Sequence, residues 1–87
     1  MKKFINASLP TSSTAFRKVE ILFDDKIRKI STDEIVTEEP VELIDLEGAL
    51  VLPGAIDTHT HILGDSASQA KQIQSFTKAA LSGGWTT

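Results

Sequence analysis

The chain has 87 residues, 40% apolar and 24% charged, with a formal net charge of −3. That is globular composition near the lower end of domain size, and its acidic balance gives no basic footprint for nucleic acid or an anionic membrane. There are no cysteines, which excludes disulfides, thiolate metal ligands and a cysteine nucleophile.

The first segment is Met1-Lys2-Lys3-Phe4-Ile5. Its lysines suit the n-region of a signal peptide, but Asn6, Ser8 and Pro10 break the apolar run that should follow. No stretch approaches the ~18 apolar residues of a membrane span, so the expectation is a cytoplasmic protein with no membrane partner. Phe4 and Ile5 open a first strand that ends by Pro10, and Thr11-Ser12-Ser13-Thr14 is a polar loop. Arg17 to Asp24 alternates, with Val19, Ile21 and Phe23 on one face and Lys18, Glu20 and Leu22 on the other. Asp24-Asp25-Lys26 predicts a tight turn, because Asp tolerates left-handed backbone, and Ile27 to Ile30 then returns antiparallel. Ser31 to Pro40 reads as an acidic loop with room for one helical turn, Asp33-Glu34 and Glu38-Glu39 being its solvated face. Val41 to Leu46 is a further strand, Glu47-Gly48 a turn, and Ala49 to Leu52 another short apolar run.

The pattern changes at Pro53-Gly54, which punctuates the chain. Ala55 to Ile62 predicts a buried strand, and Gly64-Asp65-Ser66 ends it and offers helix caps. Ser68 to Ser82 predicts a helix: Ala70, Ile73, Thr77, Ala80 and Leu81 fall on one side, Lys71, Gln72, Gln74, Ser75 and Lys78 on the other. Gly83-Gly84 stops it where a left-handed residue is wanted, and Trp85-Thr86-Thr87 opens another strand. Residues 1–52 therefore read as a β-rich N-terminal domain and residues 53–87 as a β-α-β unit whose last strand is unfinished. Parallel strands need further elements to cover them, so the chain reads as truncated relative to its fold.

Asp57-Thr58-His59-Thr60-His61 carries the chemistry. In a strand, residues two apart share a face at roughly 6.5–7 Å along the chain, which places Asp57, His59 and His61 together. Two imidazoles at that spacing can tilt toward one ion, and His is a preferred ligand of zinc and related divalent metals. A carboxylate two residues before the first His can orient an imidazole from outside the metal's own ligand set. The bland alternative is two ordinary histidines, since a bare H-x-H is a weak motif. Against it, these are the only two histidines in the chain, and they stand at a strand's C-terminal end, where parallel α/β folds build sites.

The run Leu52-Pro53-Gly54-Ala55-Ile56-Asp57-Thr58-His59-Thr60-His61 resembles the P-G-x-I-D-x-H-x-H signature of the amidohydrolase superfamily, most closely its cyclic amidohydrolases: dihydroorotase, hydantoinase and dihydropyrimidinase. Phe76 to Thr87 resembles the helix and G-G-x-T-T turn that follow in these enzymes, and Ile44-Asp45-Leu46-Glu47-Gly48 their small N-terminal β domain. The resemblance implies an α/β protein in which strands of a small β-sandwich precede the first strand–helix unit of a (β/α)₈ barrel. It implies that His59 and His61 ligate a divalent ion, most often zinc, one or two ions serving the complete enzyme. Asp57 matches the signature Asp, which in that family supports the site from outside the ion's own ligand set rather than binding the ion. It implies further that the catalytic base and the other ligands lie downstream of Thr87, and that the substrate is a small cyclic amide.

One departure bears on specificity. Dihydroorotases continue the signature with an Arg that grips the substrate carboxylate; Leu63 stands there, and Leu cannot form that bidentate contact. A hydantoinase-like substrate, or altered dihydroorotase-like specificity, fits the segment at least as well. Trp85 is expected to pack in the core, and Lys71 and Lys78 to lie on the exposed helix face. Three readings follow. One is the N-terminal portion of a metal-dependent cyclic amidohydrolase, acting as a homo-oligomer. Another is an inactive piece or subunit requiring a complementary chain, and the third a small β module with an incidental H-x-H.

Overall fold

Alternation of apolar and polar residues sets the N-terminal sheet. The computed structural model describes residues 1–62, 65 and 67–87, in two units, Met1–Leu52 and Pro53–Thr87. The first unit holds β1 (Lys2–Pro10), β2 (Phe16–Phe23), β3 (Ile27–Ser31) and β4 (Glu42–Asp45), in the order β3-β2-β1-β4. β1 pairs antiparallel with β2, β2 antiparallel with β3, and β4 parallel with β1. The strands predicted within residues 1–46 are all present, and the Asp24-Asp25-Lys26 turn closes through a side chain rather than through a left-handed residue: the Lys26 N–H donates to Asp24 Oδ1 at 3.0 Å.

The core is small. Ala7, Val19 and Ile21 are buried, and Phe4, Leu9, Phe23, Leu46 and Val51 pack against them. Phe4, Ala7 and Leu9 do not share a simple period of two, so an uninterrupted β1 would send Phe4 to the opposite face from the other two. The register shifts between Phe4 and Ala7: Phe4 pairs with Ile21, Ala7 with Val19. One extra residue is thereby absorbed and the apolar set is brought to one face. Asn6 takes up the distortion at φ 54°, a left-handed conformation that Asn tolerates better than most residues. Its Nδ2 donates to Asp45 Oδ1 at 2.9 Å, tying the bulge to β4. That bond first, and the Glu47 N–H second, hold the Asp45 carboxyl below its ordinary range.

Beyond Ser31, residues 32–40 are irregular and form no helical turn. Asp33, Glu34, Glu38 and Glu39 are exposed, as read from the sequence, but Ile35 is buried. The cause is a polar clasp. Lys3 is buried at 7% exposure, and its Nζ donates to the Ile35 carbonyl at 2.9 Å and pairs with Glu20 Oε2 at 3.0 Å. The same Glu20 oxygen accepts the Ile35 N–H at 2.8 Å. A buried ammonium needs such partners, because its desolvation is otherwise uncompensated. Ala49 to Leu52 makes only a bridge, Leu50 to Ser8, with Leu50 and Leu52 exposed.

In the second unit, α1 spans Gln69–Ser82. Gly64 and Ser66, expected to help cap it, lie outside the described residues, as does Leu63. Asp65 is described: its Oδ1 accepts from the Ser68 N–H at 2.9 Å and the Ser68 hydroxyl at 2.8 Å. At the other end, the Gly84 N–H reaches the Leu81 carbonyl and the Trp85 N–H reaches Ala80, both at 3.0 Å. With Gly84 at φ 88°, this is a Schellman stop, and the left-handed residue is the second glycine. The amphipathic face predicted for the helix is not buried: Ile73 is 45% and Leu81 66% exposed. No element among the described residues of this unit covers that face. No helix is long and apolar enough to cross a membrane among the described residues.

The Glu20 carboxyl lies below its ordinary value of 4.5, first through the Ile35 N–H and then through Lys3. A carboxyl depressed by folding adds stability that is complete above the unfolded value and is lost as pH falls through the folded one. Glu20→Gln should therefore cost about 1.5–3 kcal/mol at neutral pH, with the gap to wild type closing in acid below that ordinary value. Urea denaturation followed by the methyl signals of Val19 and Ile21 checks both parts.

Candidate metal centre

The site begins with a close backbone approach. A Cβ on Gly54 would fall inside the Thr86 side chain, so only glycine lets the two segments meet. Beyond it the chain pairs parallel with residues 84–87. The Ala55 N–H donates to the Gly84 carbonyl at 2.8 Å, the Thr86 N–H to Ala55 at 3.0 Å, and the Asp57 N–H to Thr87 at 2.7 Å. Ala55 and Trp85 form an isolated parallel bridge. The unit is therefore β-α-β in rudimentary form.

The buried strand expected over Ala55 to Ile62 is not formed. Pairing stops at Asp57, the chain bends at Thr58 and His59, and residues 55–61 are exposed, Ile56 at 65%. A parallel strand is held by its neighbours, and here residues 84–87 are the only partner among the described residues. Strand alternation therefore does not position the histidines. Asp57 Oδ1 accepts the main-chain N–H of His59 at 3.0 Å, an Asx turn that bends the chain where pairing ends.

Past that bend the two rings meet. His59 Nε2 and His61 Nε2 are 2.8 Å apart, with ring centroids at 4.8 Å and planes inclined by 62°. Both residues are exposed. Without an ion, this distance is a hydrogen bond in which one ring donates through Nε2 and the other, protonated on Nδ1, accepts. Two nitrogens sharing one zinc at bond lengths of 2.0–2.1 Å stand roughly 2.8–3.4 Å apart for ligand angles between a right angle and tetrahedral. The arrangement is therefore within a few tenths of an ångström of what a shared cation needs. The donor set fits as two ligands of such an ion. No group of three or more His, Cys, Asp or Glu able to hold a metal occurs among the described residues.

Trp85 does not pack in a core. It is 45% exposed and lines a hollow of about 390 Å³ with Phe76, Ala80, Leu81 and Asp57. The Schellman stop fixes it beside the helix's last turn, and the described residues leave its outer side open. Lys71 and Lys78 lie on exposed helix positions, as expected. Sequence reasoning missed the bend and the Gly54–Thr86 approach. The Asp-x-His spacing was the available signal for the first, the small residue before Ala55 for the second.

No family model matches the chain. It is similar to several curated enzymes. It is 39% identical over 72 residues to the dihydroorotase of Staphylococcus epidermidis, a match covering 82% of this chain and 17% of that enzyme. It is 35% identical over 71 residues to the dihydroorotase of Staphylococcus aureus, with the same coverages. It is 39% identical over 70 residues to that of Carboxydothermus hydrogenoformans, covering 80% of this chain and 16% of the enzyme. The chain thus spans about a sixth of the length of the curated relatives it matches. A match of such length within 87 residues necessarily includes His59 and His61.

Gly54→Ala should break the pairing of residues 55–57 with 84–87, at about 1–3 kcal/mol for forced overpacking. Amide exchange at Asp57 and Thr86 should accelerate while Val19 and Ile21 are unchanged.

Proposed function

We propose that this chain, whose sequence is that of an N-terminal portion related to the dihydroorotases of the amidohydrolase superfamily, carries the first two metal ligands of an enzyme that hydrolyses a cyclic amide. The observation that supports this best is the 2.8 Å approach of the Nε2 atoms of the chain's two histidines, inside the stretch that matches those enzymes. His59 and His61 hold the ion, zinc in this reading, each through its Nε2. Asp57 stands behind them and is not a ligand. Residues 53–87 are the first strand–helix unit of a (β/α)₈ barrel, and residues 1–52 contribute strands to a β-sandwich. The whole protein works in the cytoplasm, on a small molecule.

When bound, such an ion lowers the pKa of a coordinated water and polarises a scissile carbonyl. This chain's residues contribute position: two imidazoles projecting just beyond the last paired residue of a parallel segment, the place where α/β folds gather catalytic groups. No proton transfer is assigned to them. The general base, the remaining ligands and the residues that grip substrate belong to other segments of the whole protein or to a complementary chain. With Leu63 after the motif, a substrate carboxylate is not held there by a guanidinium. The substrate is thus a hydantoin-like cyclic amide, or a dihydroorotate-like one held through other groups.

Removing a ligand should cost at least as much as removing the partner that supports one, roughly tenfold to a hundredfold in affinity. His59→Ala and His61→Ala in the whole protein should each lose bound zinc by elemental analysis and abolish hydrolysis of dihydroorotate or hydantoin. Full metal content in either variant overturns the assignment and favours an incidental H-x-H.

A further inference from the structure

We propose that His59 and His61 form half of a shared site, which the same pair from a second copy of this chain completes, so that two copies dimerise around one zinc ion. This rests on the metal reading above and names a partner for it. A tetrahedral zinc site takes four protein ligands, or three and a water. The 87-residue chain brings two to one place, the Nε2 atoms of His59 and His61 at 2.8 Å.

Residues 53–87 have little more to give. They contain no Glu and no Cys, and their carboxylates are those of Asp57 and Asp65. Asp57 Oδ1 accepts the His59 N–H at 3.0 Å. Asp65 Oδ1 accepts the N–H and the hydroxyl of Ser68 at 2.9 and 2.8 Å. Those bonds hold each carboxylate to its own turn. No group of three or more His, Cys, Asp or Glu able to hold a metal forms among the described residues. The remaining positions are therefore filled from outside this unit. Water fills them weakly. A second histidine pair, already converged at ligand spacing, fills both at once with the nitrogen donors that suit zinc.

Access and charge favour that second pair. Residues 55–61 are exposed, both histidines included. Lys71 and Lys78 balance Asp57 and Asp65, so with neutral imidazoles two copies of the unit meet without net repulsion. Thr60, between the histidines, lines the open hollow with Phe76, Leu81 and Trp85, which sets uncovered apolar surface beside the metal pair. Each copy gives the same two residues, so the contact is isologous and closes at a dimer.

Sedimentation equilibrium and calorimetric titration of the intact chain, with zinc alone as the probe, test this. The metal-free chain should sediment at its 9.4 kDa mass. Zinc should double that mass, EDTA should restore it, and the titration should end at one zinc for two chains. His59→Ala and His61→Ala should each stay monomeric in zinc. Both side chains are exposed and the His59 N–H survives the exchange, and helical circular dichroism checks that each variant is folded. One zinc per chain, with no change in mass, overturns the shared site and leaves the metal reading standing. No uptake of zinc overturns both. A dimer that forms without zinc, or one that forms with zinc in both alanine variants, also overturns the shared site.

Discussion

Three main-chain hydrogen bonds between residues 55–57 and 84–87 organise everything of chemical interest in this chain. They convert a helix with flanking extended residues into a rudimentary β-α-β unit, and they fix where the paired segment stops. The histidines lie two and four residues past that point. Each bond is worth only about a kilocalorie net, so the arrangement relies on several conditions holding together. Glycine at position 54 allows the approach. The Schellman stop at Gly84 aims Trp85-Thr86-Thr87 back along the first segment. The Asx turn at Asp57 converts the end of the ladder into a bend.

The sheet in the first unit is organised differently. Its apolar core is a few side chains deep, and much of its specificity is polar. Lys3, Glu20 and the main chain of Ile35 form a closed set in which each partner satisfies the others. A charge taken out of water without that set would be strongly unfavourable. The clasp therefore selects one path for the acidic 31–40 segment, which has little apolar content of its own to dictate one.

The elements of the sheet could be read from sequence because strand alternation is local: Val19, Ile21 and Phe23 announce a face without reference to anything distant. The parallel pairing of β4 with β1 could not, since it depends on residues 42–45 meeting residues 2–5. Nor could the bulge, which appears in the sequence only as a mismatch between Phe4 and Ala7. The site was legible in part. The His59 and His61 rings do stand together, at 2.8 Å between Nε2 atoms, but not through the arrangement the sequence led one to expect. Alternation on a buried strand was the expected cause; an exposed bend closed by Asp57 is the observed one. The expectation failed because a run such as Ala55 to Ile62 is buried only when neighbours cover it, and the described residues supply a single short one. The same holds for α1, whose apolar side was predicted correctly and is open.

The left-handed backbone at Asn6 has a consequence for how this sequence can drift. Few residues accept that conformation, Gly, Asn and Asp foremost, and Asn6 is also the donor that engages Asp45, whose Oδ1 accepts the Glu47 N–H as well. Gly at position 6 relieves the backbone but deprives Asp45 of a partner, and Asp at position 6 sets two carboxylates face to face. Positions 6 and 45 are thus epistatic: neither can be exchanged freely while the other stays, and viable variants of this sheet should change both in step.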